Sequence, residues 1–264
     1  MQGSLQGASS SLLLQMGVLR VRIPEGAAPN PCQSSQEELT LPTSNTPTTQ
    51  TWIRFAGALG AAIFLLGDLL VFGHLGSGAE FREGAIRAAQ SASVGQLYFG
   101  GALGPIGACF LLVGVWFISS RLNSPRSALA SVTTLLLVAF VITASSVHAL
   151  WATNALLVKF CFGQAPACVS ALQSVQAYWR VVFLLSAAIG VVAFVLLAWQ
   201  VVAKRTTFPR WSVLASPLLL FVIAQAGPVL PSPFGAVVVA GSASISLLIF
   251  FLVAAFSATS ASAT

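Results

Sequence analysis

Apolar residues along most of this chain do not alternate with polar ones; they run on. Six stretches of about twenty predominantly apolar residues stand between short polar gaps, at 53–75, 97–119, 127–152, 178–202, 211–230 and 235–256. A helix rises about 1.5 Å per residue, so roughly 20 such residues cover the roughly 30 Å hydrocarbon core of a bilayer. Each run therefore predicts a membrane-spanning helix, and the chain as a whole an all-α polytopic bundle of six spans. Pro217 and Pro228 fall inside the fifth run and predict a kink there, because proline lacks the amide hydrogen that the preceding turn needs.

Residues 1–50 read differently. They are rich in Ser, Thr, Gln, Pro and Gly, and Leu41 to Thr51 (LPTSNTPTTQT) has no apolar period. Too little can be buried there to offset chain entropy, which predicts a disordered tail on a six-helix domain over 51–264. The apolar segment Ser11 to Leu19 is short and has no basic residue ahead of it, a poor signal peptide. Residues 1–24 lack acids and carry Arg20 and Arg22, which fits a transit peptide or a wrongly assigned start equally well.

Charge changes the picture in one respect. The chain is 56% hydrophobic and 7% charged, with a net charge of +6. Glu83 is the last acid, and the basic residues beyond it sit singly or in pairs in the gaps between runs. That is the pattern of topology-setting loop charges rather than a nucleic-acid footprint, so no nucleic-acid partner is expected. One side of the bundle collects Arg54, Arg121, Arg126, Lys204, Arg205 and Arg210. The other collects Arg82, Arg87, Lys159 and Arg180, the first two beside Glu80 and Glu83. The bias predicts both termini in the cytoplasm, the loops 76–96, 153–177 and 231–234 outside, and a plasma (inner) membrane location. Cys161 and Cys168 then flank an outward turn, where an oxidising compartment allows a disulfide. Closing so short a loop contributes about 2–3 kcal/mol in the entropy model, and two unpaired interfacial residues remain the alternative. Cys109, within a span, reads as packing.

Asp68 is the only acid inside the six runs. An Asp at a span centre costs about 2.5–3.5 kcal/mol to insert, which makes it the first functional candidate. Gly57 and Ala61 lie within about 20° of it around an ideal helix, a small-residue face of the kind that packs on other helices. Asp68 is therefore expected to face the bundle interior, roughly 10 Å from the outer end of its span. His148, with Ser145 one turn away, falls at a similar depth, as do Arg180 and Gln225. Tyr98, Asn154, Ser242, Ser244 and Ser246 share the outer half, while the inner halves hold mostly Leu, Val, Phe and Ala. Polar groups gathered at one depth predict a hydrated pocket opening outward and binding or transporting a small molecule, lipid headgroup or proton. Its candidate ligands are Asp68, His148, Tyr98, Asn154, Arg180, Gln225 and Ser242.

Two other readings stay open. Asp68, with the stripe Gly100, Gly104, Gly107 and Gly114 and the face Ser186, Gly190 and Ala193, would serve simply to lock helices in a structural or assembly protein. Alternatively, Asp68 and His148 would be a general acid/base pair acting on lipid. Two histidines and one deep acid are too few for a metal set, so neither metal nor cofactor is expected. His74 reads as an interfacial residue, and no G-x-S-x-G or H-E-x-x-H occurs.

Several segments together resemble a family of uncharacterised bacterial-type membrane proteins of six or seven spans. They are GDLLVFG from Gly67, GALGPIGACFLLVGVW from Gly101, SSVHALW from Ser145, FPRWSVLASPLLL from Phe208 and LPSPFGAVVVAGSASISLLIFF from Leu230. The resemblance runs in order from about Trp52 onward, and it implies a fold but no activity. By it, Asp68, Pro105, His148, Pro209 and Pro217 fall on motif positions, and Ser244 stands where an Asn is expected.

Overall fold

The computed structural model describes residues 47–122, 127–161, 163 and 165–260, with backbone alone at 47–51 and 258–260. Residues 1–46 of the expected tail and Arg126 lie outside the described residues, whereas 47–50, also expected in the tail, belong to the first helix. Among those described, seven α-helices follow in order: α1 (Pro47–Phe72), α2 (Phe81–Ser91), α3 (Val94–Ser120), α4 (Ala128–Cys161), α5 (Pro166–Val202), α6 (Pro217–Ala224) and α7 (Phe234–Ser260). There is no strand among them beyond one bridge between Leu122 and Thr206. Five helices, α1, α3, α4, α5 and α7, are long and apolar enough to cross a membrane. Side chains such as Leu135, Leu184 and Val181 point out of the bundle, as a helix does when its solvent is lipid.

The fifth expected span is not one helix. Arg210–Ala215 is a 3-10 helix, α6 lasts eight residues, and Gly227–Val229 is a second 3-10 turn. Pro217 opens α6 and Pro228 sits in the second turn, each removing a donor, and Ser216 before Pro217 is extended, at ψ 132°. The prolines thus break the span rather than kink it. The segment still runs the length of the bundle. The Thr207 amide donates to the Arg121 carbonyl where α3 ends, and the Gly78 amide donates to the Leu230 carbonyl just past the end of α1. Since α1 and α3 are antiparallel, these are opposite ends.

Two loops are more ordered than expected. The loop expected at 153–177 shrinks to a turn, because α4 continues to Cys161 and α5 begins at Pro166. Gly163 ends α4 with φ 75°, a left-handed position suited to glycine, and Pro166 pre-sets the first turn of α5. A disulfide joins Cys161 and Cys168 across this turn, with Cα atoms 5.1 Å apart. The loop at 76–96 contains α2, which buries Gly84, Ala85 and Ala89 and exposes Arg82, Glu83 and Arg87. The Lys159 ammonium donates to the Gln90 carbonyl at 2.6 Å and ties α2 to α4.

Close backbone packing sets the centre. On α3, Gly100, Gly107 and Gly114 face α1, whose Gly57, Gly60 and Gly67 answer them. A Cβ on Gly60 would lie 2.6 Å from the Gly107 carbonyl oxygen, and one on Gly114 2.5 Å from the Gly57 Cα. Inside lipid there is no water to drive helices together, so such contact supplies much of the attraction. Buried side chains form two apolar clusters. One includes Phe64, Leu111, Leu137 and Phe251; the other, beside α2, includes Val71, Leu97, Ala155 and Leu172. We expect Gly60→Ala and Gly114→Ala each to destabilise by about 1–3 kcal/mol through overpacking. Gly95→Ala, where nothing lies within 4 Å, should be neutral in the same detergent melting experiment.

Candidate functional site

Asp68 lies one turn before the end of α1 and is 6% exposed; His148 of α4 is 4% and Ser244 of α7 is 3% exposed. The antiparallel pairings bring all three to one level, between the two apolar clusters. The His148 Nδ1 stands 3.2 Å from the Asp68 Oδ1, and the Ser244 hydroxyl donates to Oδ2 at 2.6 Å. The other imidazole nitrogen, Nε2, is 3.2 Å from the Gly100 carbonyl of α3. Four helices therefore meet in one polar network. Its walls are made by absence: a Cβ on Gly67 would fall on Nε2, and one on Gly104 would lie 2.7 Å from Cδ2. The Phe64 ring closes the side facing the larger cluster, 5.0 Å from the imidazole centroid. Pro105 sits in the adjoining turn of α3 and cannot donate to the Gly101 carbonyl, which loosens the ladder beside the ring.

Hydrogen inventory follows from the partners. A carbonyl only accepts, so Nε2 carries a hydrogen. Nδ1 faces a carboxyl oxygen, and two lone pairs at that distance would repel, so a second hydrogen lies between them. Whichever atom it is assigned to, the pair is neutral overall, the form that lipid tolerates best. The order of groups also limits the chemistry. Ser244 donates to the carboxyl, while His148 faces the carboxyl and a backbone oxygen. No base therefore faces the serine, as nucleophilic catalysis would need. What this arrangement can do is hold and release a proton.

The remaining expected ligands are spread over other faces. Tyr98 is 64% exposed on α3 and Arg180 is exposed on α5. The Gln225 amide is exposed and donates back to the Phe221 carbonyl. Ser242 is half-buried, and its carbonyl accepts from Ser246. Asn154 is half-buried, six residues beyond His148 on α4, and its buried Oδ1 has no partner among the described residues. His74 stacks on Phe81, with Nδ1 3.2 Å from the Phe72 carbonyl. Sequence reasoning named Gly100 and Gly104 only as part of a helix-packing stripe, missed the Gly100 carbonyl and the Gly67 side of the slot, and discounted Ser244 for departing from the expected Asn. A signal existed: Ala240, Gly241, Ser244, Leu247 and Phe251 recur at helical spacing, and all are buried.

Residues 49–261 match the family of unknown function DUF6796. The chain belongs to that family. The matched region contains Asp68, His148, Ser244 and the glycines around them, so the whole network lies within the family's part of the chain. Neither the curated proteins nor the solved structures offer a match. Membership in DUF6796 agrees with the expected resemblance to an uncharacterised family and brings no activity with it.

Ser244→Ala would leave one buried carboxyl oxygen without its donor. We expect a loss of about 1–3 kcal/mol, seen as a lower melting midpoint, while Ser145→Ala, at a half-buried position, should change little.

Proposed function

We propose that this protein is a proton-responsive, non-enzymatic membrane protein of the plasma (inner) membrane, with both termini in the cytoplasm. Asp68, His148 and Ser244 bind one proton in a closed state. On opening toward the outer face the centre would admit a small molecule or lipid headgroup. The observation that supports this is the 3.2 Å approach of the His148 Nδ1 to the Asp68 Oδ1, with Ser244 and the Gly100 carbonyl on the remaining polar atoms. An ionisable residue buried among membrane helices marks a functional site by default, and proton relays are one use of it. The cover on the outer side is thin. The chain beyond α1 turns across the start of α7, where Ala236 donates to the Gly76 carbonyl and Gly78 to the Leu230 carbonyl. Gly78, Gly227 and Gly235 meet there through backbone, so the cover can part without exposing large side chains.

A second reading rests on the tight glycine slot around His148: the network as a static lock in a structural protein. Melting of the purified protein between pH 6 and pH 9 separates the two. Removing the shared proton in alkali leaves a bare carboxylate facing the Nδ1 lone pair. The wild-type midpoint should therefore fall as pH rises. Asp68→Asn keeps a hydrogen on that axis at every pH and should flatten the slope. If Asp68→Asn melts lower throughout with the wild-type slope intact, the proton reading fails and the lock stands.

A further inference from the structure

The end of the bundle away from Asp68 carries a second feature. Between α3, α5, α7 and the broken segment lies an open apolar cleft with a volume of about 30 Å³. Ile118, Leu197, Val201, Phe208, Val213 and Phe250 bound it. Its mouth is basic. Arg121 follows Ile118 by three residues, with its guanidinium 5.2 Å from the Phe117 ring. The Leu122–Thr206 bridge and the Thr207 amide on the Arg121 carbonyl hold Arg205 beside it. Arg210 reaches back from the other rim and donates from Nε to the Val202 carbonyl at 3.1 Å. The acids among the described residues are Asp68, Glu80 and Glu83. The first is bonded to His148, and the others lie on or beside α2 at the opposite end. Burial, and after it the like charge of Arg54, pull the Arg121 guanidinium below its ordinary value, which an anion nearby would relieve. Trp199 and Trp211 are exposed at the same level, where amphipathic rings meet headgroups.

We propose that this cleft holds an acyl chain of an anionic phospholipid, with the phosphate among Arg121, Arg205 and Arg210. The two halves of the site select the ligand together. A soluble anion has no use for the apolar cleft, and a zwitterionic lipid brings a cation of its own to a rim that is already positive. Basic rims between membrane helices recruit anionic headgroups in this way. The site is independent of the proton centre.

The experiment is lipid retention by detergent-purified protein, read by native mass spectrometry. Phosphatidylglycerol and phosphatidylcholine are offered at equal mole fraction. Wild type should retain phosphatidylglycerol roughly tenfold better, and Arg121→Gln with Arg210→Gln should bring the two lipids together. Val213→Trp, which fills the cleft, should lose the bound lipid. Equal retention by wild type overturns the proposal, as does a preference that survives loss of both arginines. So does glycerol phosphate, if it stabilises the protein as well as phosphatidylglycerol does, since that would make the rim an anion site without a lipid. Should the double variant not fold, wild type in raised salt decides: screening must erode the preference, and an unchanged preference refutes the charge pairing.

Discussion

A carboxyl group inside a bilayer must find in protein the hydrogen bonds that water would have given it. The rest of this bundle is arranged around how Asp68 does so. Its two oxygens are met by different helices, Ser244 from α7 and His148 from α4, and the imidazole is anchored in turn on the α3 backbone at Gly100. A side chain as short as Asp can reach both partners only if α1 runs between them at close range. The glycine contacts between α1 and α3 give that range, and the missing Cβ atoms of Gly67 and Gly104 leave the slot the ring occupies. Polar network and glycine packing are thus one constraint seen twice: neither geometry survives without the other.

The two ends of the bundle then differ in kind. Beside Asp68, the second apolar cluster packs α2 against α4 and α5 near the disulfide turn. At the far end the chain is held by single backbone contacts around Arg121 and Thr207, with arginines and exposed tryptophans about a cleft. The broken fifth passage joins these ends. Its backbone is irregular at membrane depth, which lipid tolerates only where protein covers the freed groups, and α7 supplies that cover.

Depth was legible in the sequence; azimuth was not. The limits of each apolar run set the level of Asp68 and His148, and the small residues Gly57 and Ala61 correctly turned Asp68 inward. The same reasoning grouped Tyr98, Arg180 and Gln225 with them, since all share a level, yet each faces another way around its own helix. Rotation about an axis depends on which neighbour the helix meets, and that is a tertiary fact. Ser244 failed for the same reason: three serines and a glycine crowd that stretch of α7, and only the face against α1 distinguishes one of them. Helix ends failed for another. Hydropathy reports where lipid stops, whereas α4 and α5 stop where Gly163 and Pro166 say so, and α2 is too short and too polar to register as an apolar run.

The extra length of α4 and α5 has a consequence of its own. At 34 and 37 residues they reach about 51 and 56 Å, against roughly 40–45 Å for a bilayer with its headgroups. The hairpin they form therefore rises above the lipid as a stiff post, stapled at its tip by Cys161 and Cys168. That post is a fixed handle by which an antibody fragment or an imaging fiducial can grip the bundle without touching Asp68, His148 or Ser244.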